Sequence, residues 1–182
     1  MAKDKLNIVD KNDNIIGTES REVIHSKGLL HREVHVHFVT HKNEIIFQHR
    51  AKDKDTFPDL LDATVGGHVE IGDNYSESAI KESLEETGVE VRISDLIPLD
   101  KVHNKSEDKA TGKINHAFQQ EYIYIYKGRA ADLKVEDGKG LGFEVLSVEK
   151  LLSLSEDEKR KFIPYVYKFA TTVLTDYIKN KL

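Results

Sequence analysis

The strongest constraint on this chain lies between Gly66 and Val89, GGHVEIGDNYSESAIKESLEETGV. A glycine pair is followed by a segment with a helix start, body and stop. Asn74 is placed to cap the first turn, and Glu77 three positions on completes a capping-box pattern. Gly88 is a natural C-terminal stop. Inside that helix Glu82, Glu85 and Glu86 fall at i, i+3 and i+4, so the three carboxylates share one face. Like charges at this spacing repel by roughly 0.2–0.5 kcal/mol per pair. A divalent, oxygen-seeking cation turns that repulsion into coordination. The pattern therefore points to Mg²⁺ or Mn²⁺ working on a phosphorylated substrate. Ser76, Ala79, Ile80, Ser83, Leu84 and Thr87 lie on the other side of the wheel and are expected to pack on a sheet, leaving the acids free.

The 182 residues suit one domain, 1–182, large enough to bury a real core. A net charge of −5 argues against binding a nucleic-acid backbone, which calls for a basic surface. The absence of cysteine excludes disulfides, thiolate metal sites and cysteine nucleophiles together. Met1 to Lys5 leads into polar sequence without an apolar signal core, and no apolar run approaches the ~18 residues of a membrane span. A cytoplasmic protein that does not engage membranes is expected.

Leu6–Val9 and Asn14–Thr18 flank a turn-like Asp10–Asp13 and predict an N-terminal hairpin. Val34, Val36 and Phe38 alternate with His35 and His37, the period of a half-buried strand. His41–Asn43 turns into a second strand, Glu44–His49. Ala51–Asp59 reads as a loop, and Leu60–Val65 as a short strand delivering the glycine pair. Val89–Ile93 reads as a strand and Asn104–Lys113 as a polar loop. Phe118–Tyr126 reads as a strand with Tyr122, Tyr124 and Tyr126 on one face and Glu121, Ile123 and Ile125 on the other. Asp137–Gly142 is a glycine-rich loop without the Lys-Ser/Thr of a phosphate loop, and Phe143–Ser147 is a strand. Val166, Phe169, Ala170, Val173, Leu174, Tyr177 and Ile178 keep a helical rhythm, with Pro164 in the first turn. These elements give an α/β or α+β fold with at least one antiparallel pair. The amphipathic C-terminal helix can pack on the core or on a second copy of the chain, a homodimer.

The segment 67–89 resembles the box of the Nudix family, Gly-x5-Glu-x7-Arg-Glu-aliphatic-x-Glu-Glu-x-Gly-aliphatic. Gly67 opens it, Glu82, Glu85 and Glu86 fill the metal-binding positions, and Gly88-Val89 close it. Asp73 replaces the first Glu, Lys81 the Arg, and Ser83 an aliphatic residue. Lys81 can still neutralise a carboxylate but lacks the two-pronged fork of Arg. The resemblance implies an α/β/α sandwich with a mixed sheet, an N-terminal β-hairpin and a C-terminal helix. It also implies a metal held by Glu82, Glu85, Glu86 and a carbonyl at Gly66 or Gly67.

A narrower resemblance is to the branch related to isopentenyl diphosphate isomerase. It rests on Asp10, Ile16-Gly17-Thr18, Arg21, His25, Gly28-Leu29-Leu30-His31-Arg32, His35, Gln48-His49-Arg50, Phe57-Pro58, Asp62 and Gly66-Gly67-His68. In that isomerase three histidines help bind a metal, and His25, His31 and His68 stand at similar places. Its catalytic cysteine falls at Gly66, and its paired glutamates fall near Asn115–Ala117, where no Glu occurs. His25, His31 and His68 thus remain candidates for structural, substrate-positioning or metal-binding roles. His35, His37, His41 and His49 read as polar positions on exposed strand faces and turns.

Glu121 shares its face with Ile123 and Ile125, and a carboxylate among aliphatics is costly unless paired. It is a candidate metal ligand, general base or buried ion-pair partner. Glu144, after the glycine-rich loop, is a candidate base or a solvated edge residue. The three tyrosines can stack on a base or pack on a sheet. Gly66, His68, His31 and Lys81 are the candidate substrate-binding residues. The expected function is metal-dependent hydrolysis of a pyrophosphate bond in a small-molecule diphosphate, such as a nucleoside diphosphate joined to another group, with Glu85, Glu86, Glu121 or Glu144 doing the proton work. A Nudix-fold binding module without catalysis and an isoprenoid diphosphate isomerase are the alternatives.

Overall fold

The computed structural model describes residues 5–54, 56–136 and 138–181. Met1–Asp4 and Asp137, which entered the expectations for the N-terminus and the glycine-rich loop, lie outside the described residues.

A hairpin opens the chain, β1 (Lys5–Val9) against β2 (Ile15–Ser20). Asp13 takes the left-handed conformation in its turn, at φ 65°. Helix α1 (Arg21–Lys27) follows, with the Ser20 side chain accepting from the Val23 N–H and Gly28 ending it at φ 61°. The core is a sheet of β3 (His31–Thr40), β4 (Glu44–Arg50), β5 (Leu61–Asp62), β6 (Val65–His68), β7 (Leu96–Glu107), β8 (Ile114–Tyr126) and β9 (Gly140–Ser147). Its order is β5-β4-β3-β8-β7, with β6 added against β3 and β9 against β4. β3 and β8 are parallel, and the other pairings are antiparallel, so the sheet is mixed.

Helix α2 (Tyr75–Thr87) has the expected capping box and ends at Gly88. It covers one face of the sheet, where Val34, Val36, Phe38 and Val65 pack with Ala79. Each such apolar side chain, fully buried, contributes about 1.5–3 kcal/mol. The other face is covered by α3 (Val148–Leu152), α5 (Pro164–Phe169), the π turn Ala170–Leu174 and α6 (Thr175–Lys181), through Leu151, Val166, Phe169, Leu174 and Ile178 against Val39, Ile45, Phe47 and Ile123, while the short α4 (Glu156–Lys159) buries no side chain. This is the expected sandwich. No helix among the described residues is long and apolar enough to cross a membrane.

Several expectations are corrected. Val89–Ile93 is not a strand; a short 3₁₀ turn at Ile93–Asp95 leads into β7. β7 takes in Asn104–Glu107, so the loop shrinks to 108–113. Pro98 cannot donate to a ladder, and the register with β8 slips between Pro98 and Lys101, which hides the strand's alternation. On α2, Leu84 is 47% exposed while Glu86 is 3% exposed, so the packed stripe includes one of the acids. In the C-terminal helix a π turn at Ala170–Leu174 inserts one residue and leaves Val173 exposed, against its expected inward position. His35 and His37 are buried, not exposed, because β3 is central and both its faces are covered.

Candidate active site

The acids and the glycine pair meet as the sequence implied. The Gly66 N–H donates to Glu86 Oε2 at 3.1 Å, and Gln48 Nε2 donates to the same oxygen at 3.4 Å. A Cβ on Gly67 would stand 2.2 Å from Glu82 Cδ, so only glycine lets that carboxylate lie against the strand. Burial and the neighbouring Glu86 push Glu82 up to about 8; burial pushes Glu86 up to about 7, against the pull of the Gly66 N–H. The charged form of both carboxylates is thus poorly compensated within the protein, and each holds its proton more tightly than a free glutamate. Glu85 is exposed and faces the same cavity. Lys81 pairs with Glu70, and the two sit outside the acidic triplet.

The cavity beside these acids has a volume of about 650 Å³. Arg50, Lys54 and Lys139 line it together with Glu82, Glu85 and Glu86. Arg50 is held by Asp62 Oδ2 at 2.8 Å and by the carbonyls of Thr56 and Phe57. Lys139 pairs with Glu136 at 2.9 Å. Burial, then the nearby Arg50, lowers the Lys54 ammonium. Cations and acids share one cavity without cancelling, as a site for a metal–phosphate complex requires.

A second cluster forms at the cavity's edge. His25, His31, Glu33 and His68 bring one ligand atom each within 4.8 Å of the others. His31 Nδ1 meets the Leu29 carbonyl at 3.0 Å, which directs Nε2 into the cluster, where that atom is buried without a hydrogen-bond partner. His31 Nε2 and His68 Nε2 each lie 3.5 Å from Glu33 Oε1. Asn115 Nδ2 and Gln119 Nε2 each donate to Glu33 Oε2 at 2.9 Å. Burial, against the pull of Glu33 and with the help of Arg21, holds the His68 imidazole well below the usual range, in the neutral form a metal needs. Glu33 is the residue missed in the sequence. It enters the cluster from β3 and accepts from Asn115 of β8.

Glu121 lies on the third cluster. His37 Nε2 reaches Glu121 Oε2 at 2.7 Å, Tyr165 Oη donates to Glu121 Oε1 at 2.7 Å, and His35 Nδ1 lies 3.4 Å from Oε1. Burial alone would raise the carboxyl, but His35 and His37 bring it down to about 2. Burial lowers His35, and Glu121 more than offsets this, raising it to about 9.

The structure brings Glu82, Glu85, Glu86, Gly66, Gly67 and His68 to the cavity wall. It places His31 behind His68, and Glu121 behind His35. Glu144 is exposed on β9 opposite Phe47, away from the cavity. Among the described residues the groups with ligand atoms gathered within 4.8 Å are the two histidine clusters, and the acidic triplet is not one of them. The triplet nonetheless fits a hard cation, because its donors are all oxygens and burial disfavours the charged forms of Glu82 and Glu86.

A NUDIX domain profile matches residues 29–166. The chain belongs to the Nudix hydrolase family. It is therefore an enzyme of the pyrophosphohydrolase class. It is 28% identical over 154 residues to an uncharacterized Nudix hydrolase of Clostridium acetobutylicum, covering 83% of this chain and 73% of the relative. It is also 28% identical over 194 residues to an isopentenyl-diphosphate delta-isomerase of Gibberella zeae, covering 95% and 75%. In fold it is similar to DR0079 from Deinococcus radiodurans, with a TM-score of 0.64, 24% identity, and 82% and 86% of the two chains covered. This Nudix hydrolase thus has relatives in both branches that its sequence resembles.

Proposed function

We propose that this Nudix hydrolase cleaves the pyrophosphate bond of a small-molecule diphosphate joined to another group, such as a nucleoside diphosphate derivative, with Mg²⁺ or Mn²⁺. The observation that carries this reading is the crowding of Glu82 and Glu86 against Gly66-Gly67 in a cavity that also holds Arg50, Lys54 and Lys139. Glu82, Glu85, Glu86 and a carbonyl of the glycine pair would hold the metal. When bound, the metal supplies charge neutralisation and a more acidic water.

The chain's own residues do the rest. Arg50, Lys54 and Lys139 bind and orient phosphate oxygens. Glu85 or Glu86 takes the proton of the attacking water, since both face the cavity. Glu121, held ionised by its partners and set behind His35, and Glu144, exposed on β9, are poorly placed for that task. Gln48 and the Gly66 N–H fix the Glu86 carboxylate.

The test is a panel of nucleoside diphosphate compounds assayed for phosphate-bond cleavage with Mg²⁺. The Glu85→Gln/Glu86→Gln variant should stay folded and lose turnover. Unchanged turnover sinks the proposal, while tight binding without cleavage of any compound would favour a binding module.

The histidine cluster with Glu33 favours a second reading, isomerisation of isoprenoid diphosphates. Gly66 stands against it, because the resemblance puts the isomerase's cysteine there. Interconversion of the two five-carbon diphosphates by pure protein would establish it.

A further inference from the structure

Along the β7–β8 ladder the cavity has a second kind of wall. Asn104 and Ser106 of β7 and Asn115 and Gln119 of β8 line it. Ser106 stands opposite Asn115, and Asn104 stands opposite the small, buried Ala117. Gln119 is in register with Glu33 of β3. Side chains alternate along each strand, so all four share the face of the sheet that carries Glu33. None of them is charged, whereas elsewhere the cavity is lined by the acidic triplet, Arg50, Lys54 and Lys139.

The two amides of β8 are held one way round. Asn115 Nδ2 and Gln119 Nε2 both donate to Glu33 Oε2 at 2.9 Å. A carboxylate oxygen accepts, so the NH₂ groups face it and the amide carbonyls turn away. Those carbonyl oxygens, Asn115 Oδ1 and Gln119 Oε1, are buried and have no hydrogen-bond partner among the described residues. Across the ladder, Asn104 and Ser106 are half-buried and make no side-chain hydrogen bond among the described residues. Buried acceptors left unpaired are costly, so a wall made of them calls for a partner that brings donors. Apolar side chains reach the cavity too, but Phe57, Ile163 and Val166 are 8%, 7% and 1% exposed and belong to the core. They offer a hydrocarbon tail little surface. Tyr122, Tyr124 and Tyr126 pack with Phe38 on the opposite face of the sheet, away from any base held here.

We propose that this wall receives the group joined to the diphosphate, and that the group is neutral and rich in hydroxyls, of the sugar or polyol kind. This rests on the reading of the cavity as a diphosphate site. A hydroxyl both donates and accepts. It can donate to the fixed carbonyls of Asn115 and Gln119 and bond in either sense with Asn104 and Ser106. A site built of such partners rejects an analogue without hydroxyls, because its own polar groups are then left unpaired. Asn104, Ser106, Asn115 and Gln119 thus set specificity, and they disfavour the hydrocarbon tail of an isoprenoid diphosphate.

The experiment compares two monoesters of methylenediphosphonate, whose P–C–P bridge resists hydrolysis: the butyl ester and the trihydroxybutyl ester. They share a carbon skeleton and differ only in hydroxyls. Calorimetry with Mg²⁺ and the full chain should show the trihydroxybutyl ester binding roughly tenfold or more tightly, the margin of a few net hydrogen bonds. In Asn104→Leu/Ser106→Val that margin should shrink to roughly threefold or less. The single Ser106→Ala should lower it in the same direction. Equal affinities in the wild type, or tighter binding of the butyl ester, overturn this inference alone while unsubstituted methylenediphosphonate still binds. An undiminished margin in the folded variants shows that the hydroxyls are read elsewhere and overturns the assignment to this wall. If none of the three compounds binds the wild type, the diphosphate reading falls and this inference with it.

Discussion

Glu86 accepts the backbone N–H of Gly66 at 3.1 Å, and this hydrogen bond ties the acidic helix to the glycine strand. It fixes one carboxylate oxygen while leaving the group facing the cavity. The neighbouring pair, Gly67 and Glu82, is coupled by space alone.

Gly67→Ala should therefore spare the fold and damage the site. The added methyl meets the end of a flexible side chain, so Glu82 can swing away. We expect a stability change within about 1 kcal/mol by urea unfolding. The Mg²⁺ concentration for half-maximal turnover should rise at least roughly tenfold, the loss expected of about 1.4 kcal/mol at one ligand. An unchanged metal requirement would show that Glu82 does not ligate.

The stability of the metal-free protein should fall as pH rises. Glu82 and Glu86 are raised in the folded state to about 8 and about 7. The folded chain thus binds protons more tightly than the unfolded one, and the benefit, complete below about 4.5, is lost as pH passes through 7 to 8. His35, raised to about 9, loses its benefit in the same direction at higher pH. Melting temperatures from pH 5 to 8 should decline, and Mg²⁺ should restore those at the alkaline end. Glu82→Gln/Glu86→Gln should flatten the profile; a slope as steep as wild type would assign it elsewhere.

The histidine cluster should answer to softer metals. Zn²⁺ at about a hundredfold over its Kd adds about 2.7 kcal/mol to a protein that binds it only when folded. That shift should disappear in His31→Ala. Equal Zn²⁺ stabilisation of variant and wild type in calorimetric melts would exclude the cluster as the binding place.

Asp13 joins the hairpin turn to the main sheet and to α2. Its carboxylate meets Arg32 Nε at 2.6 Å, Lys101 Nζ at 2.5 Å and Tyr75 Oη at 3.0 Å. Asp13→Ala also leaves alanine at φ 65°. A loss of about 2 kcal/mol is expected in denaturant unfolding. A loss under about 0.5 kcal/mol, the range of ordinary surface changes, would mean these contacts are not held in solution.

The glycine-to-helix segment was legible because it depends on local rules. Asn74, Glu77 and Gly88 act within a turn or two of themselves, so caps and acid spacing can be read off the letters. The same rules were available for α1, where Ser20 and Gly28 bound a short helix, but its brevity gave no apolar rhythm to notice. Alternation along β3 correctly separated Val34, Val36 and Phe38 from His35 and His37. It could not tell that the polar set is also interior, since that depends on α5 and β8 arriving from far along the chain. Glu33 escaped notice for the same reason. The exchange of Leu84 for Glu86 on the packed side of α2 follows from the Gly66 N–H, a partner that a helical wheel does not contain.

β3 and β8 run side by side, with His35 opposite Glu121, and Tyr165 closes the group from a still later segment. Partners so distant in sequence delay folding, because the intervening loop must close before any contact forms. On the ribosome the imidazoles emerge long before their counter-ion, and the phenol follows last. A nascent chain stalled before α5 therefore leaves one Glu121 oxygen without its phenol donor, and the completed interior waits on the final helices.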